Sequence, residues 1–330
     1  MASSAPVLVA PDDFKGTLAA TTVAAAVARG LREAGLEAEE MPVADGGGGT
    51  LDVLLGALGG ERRSARVSDP LGRPVDAEYG LLEDECTAVV EMAQASGLWR
   101  VAEAERDAWA ASTRGTGEVI AAAVAAGAGE VILGAGGSAT TDGGKGAIEA
   151  LDEAGATPEL VVLCDSHVVW EDCPRVFGPQ KGADEETIRR LEERLDALAR
   201  AAPRDPRGVP LTGGAGGIAG GLWAHRGARL VLGAAYVLDA VGFEARMRTA
   251  RFVVTGEGQL DHQTLTGKAV SEVARRCRES GVACHAVVGH DVLEPYEIRT
   301  LDLASVRQAG SLEELEAAGR AMGEEALGTV

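Results

Sequence analysis

Glycine falls at the ends of the apolar runs of this chain, and that placement constrains the fold more than any other feature. Short segments at residues 7–10, 39–43, 131–133 and 251–255, which read as strands or lead-ins to them, each run into a loop that combines glycine with Asp or Glu. Each loop is followed by a stretch with helical periodicity. A strand, a glycine turn and a helix repeated in this order form the unit of an α/β protein, with parallel sheets flanked by helices. In such sheets the loops lie beyond the carboxyl ends of the strands, where ligands bind.

The remaining elements follow from the same signals. A helix is expected over 17–34, with Thr17 and the residues after it as N-cap candidates and Gly35 as its stop. Residues 62–68, 75–81 and 87–92 read as strands around turns at 69–72 and 82–85. Helices are expected at 116–126, 184–202, 268–280 and 312–327, and strands at 160–164 and 282–288. A third glycine cluster, 213–221, opens a helix, and 204–209 is the most linker-like segment. The length of 330 residues suits about two domains.

Composition excludes several classes of function. A net charge of −20 argues against nucleic acid or an anionic membrane surface as partner. A small anion is compatible with it if local donors outweigh the global field. No uncharged apolar run reaches 18 residues, and the N-terminus lacks the pattern of a signal peptide. Five scattered cysteines with no C-x-x-C pair argue against a disulfide framework or a zinc site, so a reducing, cytoplasmic setting is expected. The five histidines have no metal-ligand spacing. Of 31 basic residues only four are lysines, Lys15, Lys145, Lys181 and Lys268, and all four adjoin a glycine. A compact ammonium suits a glycine-rich phosphate cradle better than a guanidinium fork does.

Three acidic glycine loops follow predicted strands: DGGGG from Asp45, DGG from Asp142, and GEG from Gly256 with Asp261 downstream. Glycines there admit positive φ and let backbone N–H groups approach an anion. A carboxylate beside them can hold Mg²⁺ or take a proton from a substrate hydroxyl. The segment 256–268 imitates a Walker A loop at Gly267 and Lys268, but His262 replaces its first glycine and Ala269 its hydroxyl. The run GAGGSA from Gly134 partly matches a dinucleotide fingerprint. The following TDGG would break the helix that fingerprint needs, and the acidic partner would have to be Glu153.

Together, VAPDDFKG (9–16), VADGGGGT (43–50), GGSATTDGG (136–144), FGPQKGA (177–183) and TGEGQLDHQTLTGK (255–268) resemble the glycerate kinase family of the glycerate 2-kinase type. The five motifs stand in the family's order across nearly the whole chain. The resemblance implies ATP-dependent phosphorylation of D-glycerate, giving 2-phosphoglycerate, with Mg²⁺. It also implies two three-layer α/β domains. A flavodoxin/Rossmann-like domain would be formed by residues 1–68 and 236–330, the second α/β domain (69–235) would be inserted into it, and the active site would lie in the cleft between. A homodimer is compatible with this reading. Three departures stand out: Gly48 where the family has Glu, Thr141 where it has Asn, and a much shortened segment between Leu151 and Leu160.

Under this reading Asp45, Asp142, Lys268 and Lys15 are the catalytic candidates. Gly136, Gly137, Ser138, Lys181, Gly256 and Glu257 would bind the nucleotide or its phosphates, and Asp45, Asp142 and Asp261 would hold the metal. The alternatives are a kinase of a related small hydroxy acid, a non-catalytic binding relative of the family, and, with least support, a nucleotide-dependent oxidoreductase.

Overall fold

The computed structural model describes residues 5–14 and 16–328. Its strands are β1 (Val7–Pro11), β2 (Ala38–Glu40), β3 (Gly60–Ser68), β4 (Pro74–Leu82), β5 (Thr87–Glu91), β6 (Glu130–Gly134), β7 (Glu159–Cys164), β8 (Arg229–Leu232), β9 (Val253–Leu260), β10 (Cys284–Asp291) and β11 (Ser305–Gln308). They form one five-stranded and one six-stranded sheet. The chain divides accordingly into two units, Met1–Asp45 with Ala234–Val330, and Gly46–Gly233.

In the first unit every neighbouring pair is parallel, in the order β11-β10-β9-β1-β2. Counting only this unit's own strands, that is the flavodoxin-like order 2-1-3-4-5, whose switch point lies between β1 and β9. The residues of β1 show why the sheet is covered on both sides. Val7 and Val9 pack with Val23, Val27 and Leu315, whereas Leu8 and Ala10 pack with Phe243, Ala269 and Val273. Side chains alternate across a strand, so a continuous apolar run such as VLVA needs a hydrophobic partner on each face. The helices Ala20–Glu33 and Leu312–Leu327 supply one partner, and Phe243–Met247 and Ala269–Ser280 the other. Each fully buried Val, Leu or Phe contributes about 1.5–3 kcal/mol through removal of apolar surface from water.

In the second unit β5-β6-β7-β8 are parallel, extending the antiparallel meander β3-β4-β5. The turns expected at 69–72 and 82–85 connect β3, β4 and β5 and give the sheet an antiparallel edge. The core combines Val90, Leu133 and Val162 of the central strands with Val119, Ile120, Leu151 and Leu222 of the helices.

Several boundaries moved for identifiable reasons. A domain boundary at 68/69 would leave β3 with the first unit, yet β3 pairs with β4 over its full length and belongs to the second. The first helix begins at Ala20, because the Thr17 hydroxyl donates to the Phe14 carbonyl at 2.7 Å and closes a turn. β8 and β11, four residues each, had no periodic signal and were missed. The 151–160 segment is a tight link: the helix Lys145–Ala154 ends at Gly155, and β7 starts at Glu159.

Candidate functional site

In the first unit the chemistry gathers at the carboxyl ends of β1 and β9. Residues 256–260, read from sequence as a glycine loop, continue β9 instead. The reason is β10, which runs to Asp291 and pairs Val288 with Glu257, His290 with Gln259 and Asp291 with Leu260. Gly256 sits inside this ladder, where a Cβ would lie 2.3 Å from the Val287 carbonyl oxygen. β1 stops pairing at Gly256, and the Asp12 amide donates to the Gly256 carbonyl at 2.8 Å. Glu257 is thus the first residue of β9 beyond its neighbour, at the switch point.

Glu257 is buried, and its Oε1 accepts a hydrogen bond from the Thr264 hydroxyl at 2.6 Å. Burial pushes its carboxyl up to about 7. The Thr264 bond and the Lys268 ammonium act in the opposite direction, and the neighbouring charges of Asp45 and Asp261 reinforce the rise. Asp45, Lys268 and Asp12 are buried as well. Asp45 is reached from β2 through Val43, whose amide donates to the Pro11 carbonyl. Lys268 stands at the N-cap of the helix Ala269–Ser280. Asp261 folds the chain locally, its Oδ1 accepting from the amides of Gln263 at 2.8 Å and Thr264 at 3.3 Å. Lys15 lies outside the described residues. His262 is exposed and paired with Glu297, which gives it a surface role.

In the second unit the centre is the loop between β6 and the helix Lys145–Ala154. A Cβ at Gly136 would lie 2.5 Å from the Gly47 Cα, so the first glycine loop and this one touch backbone to backbone. The Gly136 amide donates to the Gly46 carbonyl at 3.1 Å, which commits one donor of the expected cradle to the loop itself. The Gly137 carbonyl accepts from the Leu98 amide, and the Ala139 amide donates to the Ser96 carbonyl. Asp142 is buried, and Oδ2 accepts from the Thr113 amide and hydroxyl, both at 2.8 Å, and from the Gly146 amide at 3.2 Å. Its Oδ1 accepts from the Gly144 amide at 3.1 Å. Both carboxylate oxygens are thus engaged, by Thr113 from a distant segment and by amides at the start of the helix Lys145–Ala154.

Lys181 is almost fully enclosed. Its Nζ donates to the Ser138 hydroxyl at 2.9 Å and to the Thr140 carbonyl at 2.6 Å. Lys145, by contrast, is exposed and paired with Glu149 one turn along its helix. Glu153, the acid a dinucleotide site would need, is an exposed partner of Arg114, and the helix behind the GAGGSA run begins only at Lys145.

Two acidic groups escaped the sequence reading. Glu91 closes β5, is buried, and accepts from the Leu51 amide at 2.8 Å at the start of the helix Thr50–Leu58; burial raises its carboxyl above the usual range. Asp165 follows β7, and its Oδ2 would lie 3.5 Å from a Cβ at Gly136. A Glu or Asp at the carboxyl end of an apolar strand was the available signal in both cases. Among the described residues no group of three or more His, Cys, Asp or Glu side chains is arranged to hold a metal ion, and all five cysteines are free thiols. No helix is long and apolar enough to cross a membrane.

The model of the glycerate kinase family matches residues 7–157 and 152–326, two pieces that overlap at 152–157. A glycerate kinase of Halalkalibacterium halodurans is 37% identical over 322 residues, covering 86% of this chain and 85% of that protein. A glycerate 2-kinase of Escherichia coli K12 is 36% identical over 328 residues, covering 87% and 86%. The crystal structure of a protein described as a glycerate kinase 2, from Salmonella typhimurium LT2, superposes with a TM-score of 0.83 at 32% identity and covers 99% of both chains. With motifs, sheet order and near-complete coverage in agreement, the chain belongs to the glycerate kinase family.

Proposed function

We propose that this protein transfers the γ-phosphoryl group of ATP to the 2-hydroxyl of D-glycerate, with Mg²⁺, in the cytoplasm. The observation that carries the site assignment is the buried cluster at the β1/β9 switch point: Glu257 held by Thr264, with Lys268 and Asp45 acting on it. Phosphoryl transfer asks a protein mainly for positioning and charge stabilisation. Glu257 has the burial and the nearly neutral proton affinity to accept the hydroxyl proton. Lys268 supplies a fixed positive charge for the transferred group or the substrate carboxylate. In the second unit the loop at Gly137 and Ser138 serves the donor's phosphates.

The donor set suits Mg²⁺ rather than a metal with an all-protein cage. Kinase magnesium takes one or two carboxylates and completes its shell with water and phosphate oxygens. Asp45 would hold it, with Asp261 as the second candidate; Asp142 is already engaged on both oxygens, by Thr113 and by the amides of Gly144 and Gly146. Magnesium, when bound, neutralises charge on the donor's phosphates.

The test is an ADP-release assay with ATP, Mg²⁺ and D-glycerate, run beside L-glycerate, tartronate and erythronate, with the product position read by NMR. D-Glycerate-dependent ADP release and a 2-phosphoglycerate product are expected. Lys268→Met and Asp45→Asn should each lose about a hundredfold in rate, the scale of a single electrostatic contact to the transition state. Full activity in both variants would discard this site.

A further inference from the structure

Lys181 carries the least expected chemistry in the second unit. It ends a short 3₁₀ turn, Pro179–Lys181, that is fixed by its own amide donating to the Gly178 carbonyl at 2.9 Å. The side chain points inward and only 2% of the residue is exposed. Both of its hydrogen bonds go to the segment between β6 and the helix Lys145–Ala154, one to a side chain and one to the backbone two residues on. The Phe177 ring lies 5.9 Å from the ammonium. An ammonium is costly to place in a dry interior unless the groups around it need it.

We propose that Lys181 is a positioning residue: it holds Ser138 and the Thr140 carbonyl in place from beneath the loop, and it does not touch the transferred phosphoryl group. The inference rests on the reading of this loop as the nucleotide phosphate site. Two of its three N–H donors are directed at the loop, and its enclosure leaves no surface for a ligand. Burial pulls its amine down to about 8, with Cys173, Asp165 and Asp142 acting in the opposite direction. A lysine meant to grip phosphate needs access to it, and Lys181 is enclosed on the side away from solvent.

A double-mutant cycle with Lys181→Met and Ser138→Ala tests this, read as kcat and as KM for MgATP and for D-glycerate. Each single variant should raise the MgATP KM by about tenfold and leave the D-glycerate KM unchanged. The double variant should be no more than about twofold worse than the more severe single. If the two losses multiply, Lys181 acts on the ligand independently and the proposal fails. It fails too if only kcat falls while both KM values hold, because that is the mark of a smaller folded fraction. If Lys181→Met is not recovered folded, Lys181→Gln takes its place in the cycle. Gly136→Ala separates the two readings. An unchanged MgATP KM there, with the coupling intact, overturns the assignment of the loop while supporting the role of Lys181.

Discussion

Glu257 shows how a single carboxyl can be tuned by its place in a sheet. Its strand continues four residues past β1, and Glu257 is the first of them, so the side chain enters a buried corner that already holds Asp45 and Lys268. Burial favours the protonated form, and the folded value of about 7 exceeds the ordinary 4.5. If Glu257 accepts the hydroxyl proton, the rate should rise with pH through about 7. Glu257→Gln should remove that limb and cost roughly 10²–10⁴ in kcat. The effect on stability has the opposite sign. A raised carboxyl binds more protons folded than unfolded, so its contribution is fully present below the unfolded value and lost as pH rises through about 7. Between pH of about 5 and about 8, wild type should lose about 2.5 kcal/mol of unfolding free energy relative to Glu257→Gln. Chemical denaturation of both proteins at the two pH values measures it, and parallel pH dependence would contradict the assignment.

At the scale of elements, the glycine loops work through backbone proximity. Gly136 approaches the Gly47 Cα so closely that Gly136→Ala must push the two loops apart. A displacement of about 1 Å at a phosphate site costs on the order of a hundredfold, so kcat/KM for MgATP should fall by about that factor. Steady-state kinetics reads this directly, and an unaltered kcat/KM would remove the loop from the site. The loops were legible in the sequence because glycine next to an acidic residue after an apolar run is a local signal. What each loop does with its polar groups was not local. Asp142 looked like Asp45 in sequence, yet its carboxylate is occupied by Thr113, 29 residues away, and by the helix start. The segment 256–260 read as a loop because its glycines outweigh its strand propensity, but pairing with β10 overrode that preference.

For the whole molecule, the charge of −20 works against both anionic substrates, and buried Lys268 offsets it only locally. Screening the global field should therefore help binding. Raising ionic strength from about 0.01 to about 0.1 M shortens the Debye length from about 30 to about 10 Å. The KM for MgATP should fall by about two- to fivefold over that range. A KM that rises with salt would mean that local cations dominate the encounter. The α/β class, most helices and the family were determined by the sequence alone, because apolar period and glycine placement are written in neighbouring residues. The tertiary structure alone decided that β3 belongs to the second sheet, that β9 runs on through Glu257, and that Lys181 is sealed beneath its loop. Strand partners and burial depend on residues far apart in the chain, and no local pattern encodes which of them will meet.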